Sequence, residues 1–249
     1  MKDMIKRMIS RKKPQKKVKA VILDLDDTLW DTTGRLVKKG QVAALKEMAR
    51  LGLPIKQSEA ASVRDMLVRR YGQHINTTKK AIEHFGLDRE DAKKAERIRM
   101  AGHRKYYSVD IIGNIRPFRD TVPTLKRLKQ EGKILVLLSS GDVKQQKRKL
   151  DRLGLRRYFD RIVFDASIGS SNKLPHVKKI IQWLKKRGIN REDMIMVGDR
   201  ITSEIEAGNR LGLKTVRILK GRYSGLKPEN KRQRPDHTIR DLSGLLRIV

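Results

Sequence analysis

The chain has 249 residues and no cysteine, so it has neither a disulfide framework nor a thiolate metal site. It also lacks any apolar run near the ~20 residues that a membrane-spanning helix needs. Its N-terminus is basic but has no uninterrupted apolar core and no cleavage site of the secretory kind. A soluble, cytoplasmic protein with no membrane partner is the expectation, with a transit peptide as the alternative, because the tail is basic and nearly free of acids. Hydrophobic residues still make up 38% of the chain. At this length that supports one large domain, or one domain carrying an insertion.

Acidic residues are scarce as well. There are 28 Asp and Glu against 60 Lys and Arg, a net charge of +32. A thermophilic surface habit would bring matching Glu, which is missing here. A field of this sign favours polyanions or anionic substrates as partners. The first 17 residues, MKDMIKRMISRKKPQKK, contain a single acid. They read as a mostly disordered basic arm, either solvated or anchored to the phosphate backbone of RNA.

The most informative stretch is 18–34, VKAVILDLDDTLWDTTG. Val21, Ile22 and Leu23 form a short run apolar on consecutive positions, which reads as a strand buried on both faces of a parallel sheet. Three acids, Asp24, Asp26 and Asp27, crowd the end of that strand, where open α/β sheets place their ligands. Crowded carboxylates repel unless a cation or a shared proton relieves them, and a divalent metal does so. Asp24 and Asp26 lie two apart on an extended segment and project to one side.

Residues 34–116 are helical in pattern, with Val42, Leu45 and Met48 on one face and Val63, Met66, Leu67 and Tyr71 on another. Ile82 and Phe85 mark a third helix closed by Gly86, and a polar fourth is expected over 89–107. From 117 onward, strands at 134–138, 162–166, 194–197 and 214–218 alternate with helices. A last short strand is expected at 235–239 and a closing helix at 241–248. Such alternation implies a parallel sheet with helices on both faces.

The segment DLDDT at 24–28 resembles the first motif of the haloacid dehalogenase-like hydrolases, most of which are phosphatases. The resemblance implies that Asp24 is a nucleophile forming an aspartyl-phosphate, and that Asp26 is the general acid and base. It also implies a Rossmann-like core at 18–33 and 117–249, with 34–116 as an inserted helical cap that closes over the site. Ser139 matches the second motif, a hydroxyl for a phosphoryl oxygen, and Lys173 the third, an ammonium for developing negative charge. Asp199, in VGD, matches the fourth. With Asp24 and the backbone carbonyl of Asp26 it would hold Mg²⁺. Glu204 stands where this motif usually has Asp and is expected to act on the metal or on Lys173, so Glu204→Asp would restore the usual geometry. DLDDTLWDTTG, GDVKQQKRKLDRLGLRRYFD and MIMVGDRITSEIEAGNRLGLKTVRILKGRYSG are similar to archaeal members of this family.

Two functions follow as expectations. One is a Mg²⁺-dependent phosphatase for a small phosphate ester. The other is a basic RNA- or ribosome-associated protein built on the same fold, with catalysis secondary or lost. The five His residues show no metal-ligand spacing and read as surface or core positions. The 221–225 turn, GRYSG, could suggest a phosphate loop but fits an ordinary connection better. Trp30, Tyr106 and Tyr107 could line the cap interface or simply pack.

Overall fold

A computed structural model describes residues 18–108, 115–166 and 173–249. The basic arm (1–17) and the residues just before Lys173 (167–172) lie outside the described residues, as do 109–114. Six strands form one wholly parallel sheet: β1 (Ala20–Leu23), β2 (Ile134–Ser140), β3 (Arg161–Asp165), β4 (Met194–Gly198), β5 (Lys214–Ile218) and β6 (His237–Ile239). Their spatial order is β3-β2-β1-β4-β5-β6.

Burial explains why β1 is apolar without alternation. Val21 and Leu23 pack with Leu135, Leu137, Ile195 and Val197 on one face of the sheet. Ala20 and Ile22 pack with Val136, Leu138, Met194 and Met196 on the other. Each large aliphatic side chain buried in this way contributes about 1.5–3 kcal/mol. The first face is covered by α5 (Thr121–Gln130) and α6 (Val143–Arg152), through Leu125, Leu128 and Leu150. The second is covered by α7 (Leu174–Lys185) and α8 (Glu206–Arg210), through Val177, Ile180, Ile181 and Ala207. This is the Rossmann-like architecture expected from the sequence. β1 pairs with β2 on one side and β4 on the other, so the strand order reverses there and opens a crevice at the carboxyl ends.

The helices between β1 and β2 have a core of their own. α1 (Lys38–Arg50), α2 (Ala60–Tyr71), α3 (Thr77–His84) and α4 (Ala92–Ser108) bring together Leu45, Met48, Leu67, Ala81, Ile82 and Ile98. The helix expected over 89–107 is broken at Asp91, whose backbone is extended, with a single turn (Leu87–Glu90) before it. Asp91 accepts from the Lys94 N–H at 2.9 Å, starting α4 afresh as an N-cap does. The closing helix expected over 241–248 is instead a 3₁₀ stretch, Leu242–Arg247. Its buried residues Leu242 and Leu245 are three apart, a spacing that the 3₁₀ turn aligns. Among the described residues no helix is long and apolar enough to cross a membrane.

Candidate active site

Asp24 directly follows β1 and its N–H donates to the Val197 carbonyl of β4 at 3.0 Å. Asp199 directly follows β4, so the two carboxylates stand side by side across the switch point, each about 5% exposed. Lys173 enters from the start of α7, 2% exposed. Its ammonium donates to Asp24 Oδ1, to the Leu138 carbonyl at 3.1 Å, and pairs with Glu204 Oε1 at 2.5 Å. These three partners match its three N–H bonds. Burial works against the charged ammonium, but Asp24 and Glu204 outweigh it and hold the pKa above its ordinary value.

Glu204 lies on a π-helical turn, Ile201–Ile205, that runs into α8. Its stem crosses Gly198, where an added Cβ would lie 2.3 Å from Glu204 Cγ. Its second oxygen accepts from the Arg200 N–H at 3.1 Å. The longer side chain is therefore fitted to its place and reaches Lys173. This corrects the expectation for Glu204→Asp. Shortening the arm by one C–C bond, about 1.5 Å, withdraws the carboxylate from a buried ammonium. The variant is expected to melt lower, by about 2–4 °C for each kcal/mol lost, and to turn over more slowly. A thermal melt and a rate measurement check both.

One ammonium here faces three buried acids. Burial opposes ionisation of Glu204, but Lys173 outweighs it and draws the pKa down. Burial pushes Asp24 up to about 7, opposed by Lys173 and reinforced by Glu204 and Asp26. Burial, then Glu204, Asp24 and Asp27, raise Asp199 well above the carboxylate range. Without a further cation the second and third acids are therefore disfavoured as carboxylates, and a divalent ion at Asp24 and Asp199, two hard oxygen donors, would relieve that cost. Among the described residues no three acidic or imidazole side chains converge as a metal set. Two carboxylates and open positions suit Mg²⁺, which keeps waters and takes up phosphate oxygens. The donors fit that ion.

Asp26 has a different environment. Its carboxylate accepts from Trp30 Nε1 (2.9 Å), Thr32 Oγ1 (2.6 Å), Gln146 Nε2 (2.9 Å) and Lys149 Nζ (2.9 and 3.0 Å). Burial would raise its pKa, but Lys149, Thr32 and Gln146 outweigh it and bring the value down to about 2. In this arrangement Asp26 is an ionised acceptor, not a proton carrier. A general-acid role requires it to leave Lys149. Gln146 and Lys149 were not legible as functional from the apolar pattern of α6, although buried polar residues one turn apart on the face that carries Leu150 are such a signal.

Ser139 is 1% exposed and its buried hydroxyl has no hydrogen-bond partner among the described residues, while its neighbours Ser140 and Gly141 line the cleft. The cleft holds about 290 Å³ and joins Asp24, Asp26, Lys173, Asp199 and Glu204 to residues of the helical block. Tyr106 and Tyr107 line it, as do His74 and His103, which the sequence reading placed at surface or core positions. Trp30 is a core residue, 1% exposed. The 221–225 segment is not an ordinary connection either: its 3₁₀ turn, Gly221–Tyr223, brings Arg222 and Tyr223 into the cleft.

A family model for the haloacid dehalogenase-like hydrolases matches residues 18–212. The chain belongs to the haloacid dehalogenase-like hydrolases. It is 32% identical over 236 residues to the glyceraldehyde 3-phosphate phosphatase of Methanocaldococcus jannaschii, covering 93% of this chain and 97% of that one. It is 30% identical over 236 residues to the enzyme of the same name from Pyrococcus furiosus, covering 94% of each. Among solved structures, the fold is shared with a HAD phosphatase from Thermococcus onnurineus, at TM-score 0.57 and 24% identity over 93% of this chain and 97% of that one. It is also shared with a predicted phosphoglycolate phosphatase from Haemophilus somnus, at TM-score 0.66 and 19% identity over 93% and 97%.

Proposed function

We propose that this phosphoric monoester hydrolase cleaves a small phosphate ester of the size of glyceraldehyde 3-phosphate, by way of a phosphoryl group carried on Asp24. The observation that supports it is the buried Lys173 bridging Asp24 and Glu204 beside Asp199, at the base of a small cleft. An Asp24 oxygen attacks phosphorus, the P–O bond to the leaving group breaks, and the leaving oxygen takes up a proton from the Asp26 carboxyl, protonated once it has left Lys149. Water then attacks the aspartyl-phosphate, releasing phosphate and the free carboxylate. Lys173 neutralises Asp24 before attack and the phosphoryl oxygens during it. The Ser139 hydroxyl, buried just behind the cleft lining and without a partner among the described residues, would add a further donor only if it turned toward a bound phosphoryl oxygen. Mg²⁺ held by Asp24, Asp199 and the Asp26 carbonyl supplies Lewis acidity to the phosphoryl oxygens when bound.

Residues 34–116 serve as the cap in this reading, with Gln41, Asn76, Thr77 and Tyr106 facing the cleft. Cavity size bears on the choice between a small ester and a polymer, which net charge leaves open. About 290 Å³ is at the lower edge of small-molecule sites. Any RNA contact is thereby left to the outer surface. Release of phosphate from glyceraldehyde 3-phosphate, measured with Mg²⁺ and with a chelator, is the test. Turnover that appears with Mg²⁺ and disappears on chelation is expected. Equal rates in both would remove the metal from the reading, and no release from any of a panel of small esters would remove the reaction.

A further inference from the structure

Arg222 is a half-buried cation that lines the cleft with no direct ion pair among the described residues. Among the described residues its guanidinium makes no hydrogen bond and no ion pair. In a chain this basic, unpaired cations on the outer surface need no explanation. A guanidinium turned into a catalytic cleft does, because leaving five donors there without an acceptor is unfavourable. Asp27 acts on it through space, its two oxygens accepting from Thr33 at 2.8 Å from the N–H and 2.5 Å from the hydroxyl rather than from the guanidinium. Burial works against the charge on Arg222, yet Tyr223, Tyr106, Asp27 and Tyr107 around it outweigh that and hold its pKa above the ordinary value.

The turn that presents Arg222 is built into the core. Gly221 sits at φ +63°, and an added Cβ there would lie 2.2 Å from the Asp27 carboxyl carbon, so glycine is required on both counts. The Arg222 N–H donates to Thr33 Oγ1 at 3.1 Å, tying the turn to the acidic loop after β1. Arg217, 6% exposed on β5, donates to the carbonyls of Tyr223, Ser224 and Leu226 at 2.7, 3.1 and 2.9 Å. Two guanidinium groups, of Arg222 and Arg200, each lie 4.9 Å from the Tyr223 ring centroid. Arg200 lines the same cleft and forms no ion pair among the described residues; its Nε donates to Thr202.

We propose that Arg222 and Arg200, both beside the Tyr223 ring in the lining of the cleft, form a subsite for a second anionic group of the substrate, so that the preferred substrates are small phosphate esters that also carry a carboxylate or a second phosphate. This rests on the phosphatase reading above and narrows it. A planar guanidinium matches a carboxylate or a phosphate with two parallel hydrogen bonds, and stacking on an aromatic face holds the fork in place before binding. Glyceraldehyde 3-phosphate ends in a neutral aldehyde and would leave both cations unmet.

The test compares 3-phosphoglycerate with glycerol 3-phosphate, which is nearly the same size and lacks the carboxylate. Wild type is expected to favour 3-phosphoglycerate in kcat/KM, with the difference carried mainly by KM. In Arg222→Met that preference should fall about tenfold or more, the scale of one charge-assisted hydrogen bond. Arg222→Lys should recover part of it. Thermal shift with the same two compounds gives a readout that does not need turnover. 3-Phosphoglycerate should raise the melting temperature of wild type more than glycerol 3-phosphate does, and this excess should shrink in Arg222→Met. If Arg222→Met folds poorly, Arg200→Met carries the same comparison. An equal loss on both esters would place Arg222 on the reacting phosphate and overturn the proposal, as would a wild type with no preference in either assay. If no ester is hydrolysed but the excess shift is present and depends on Arg222, the subsite stands while the reaction assigned to it fails.

Discussion

Asp24→Asn is expected to abolish phosphate release while leaving the protein folded. The amide oxygen cannot take over as nucleophile, and single losses of a covalent catalyst fall on the order of 10⁴- to 10⁶-fold. Lys173 retains Glu204 and the Leu138 carbonyl, so its ammonium is not stranded. Burial holds Asp24 up to about 7, above the value an exposed carboxyl has. For an acid, a raised folded pKa means that ionisation at neutral pH opposes folding, so a neutral amide removes a destabilising charge. In chelator-containing buffer the variant should melt no lower than wild type. Phosphate release from 3-phosphoglycerate and glyceraldehyde 3-phosphate, together with the melt, decides the matter. Turnover within tenfold of wild type would overturn Asp24 as nucleophile, and a collapsed melt would show that its place is structural.

The second large effect is expected at Asp26. Asp26→Asn removes the ionised partner of Lys149, which is only 2% exposed. Breaking a buried ion pair from one side costs about 3–5 kcal/mol, or some 6–20 °C at 2–4 °C for each kcal/mol. The sign with pH follows from the lowered pKa of about 2. The stability that Asp26 contributes is present above the ordinary carboxyl range and is lost as pH falls toward 2, so the gap between wild type and Asp26→Asn should close in acid. If Asp26 leaves Lys149 to carry the proton during turnover, its loss should separately slow the reaction by about 10²- to 10⁴-fold. Adding Lys149→Met to Asp26→Asn tells the two apart, because it removes the stranded ammonium. The double variant should regain most of the melting temperature and none of the rate. Recovery of both would make Asp26 a structural anchor with no part in the reaction.

The outward-facing logic of the fold was legible because it is local. A strand apolar at Val21, Ile22 and Leu23 has to be buried on both faces, and burial of that kind occurs within a parallel sheet covered by helices. Regular returns to short apolar runs then place Asp24, Ser139 and Asp199 at strand ends without any coordinates. Helix breaks were less legible. The extended backbone at Asp91 interrupts a helical pattern that periodicity reads as continuous. Leu242 and Leu245 fit either helix type until burial picks the 3₁₀ spacing.

By itself, the sequence determined the fold class and which strand ends carry carboxylates, because hydrophobic period and chain order suffice for these, while the family came from the resemblance of its motifs. Only the tertiary structure decided who partners whom. It turned Asp26 from Asp24 toward Lys149 and Gln146, more than a hundred residues away in the chain. It assigned Glu204 to Lys173, a distance that a one-dimensional spacing cannot state. It also carried Arg222, from a turn that reads as ordinary, into a cleft that Tyr106 and Tyr107 help to line. The physical reason is common to all three. Charges in a dry pocket take their protonation state and their role from the nearest opposite charge, and nearness across the sheet is set by packing of elements far apart in sequence.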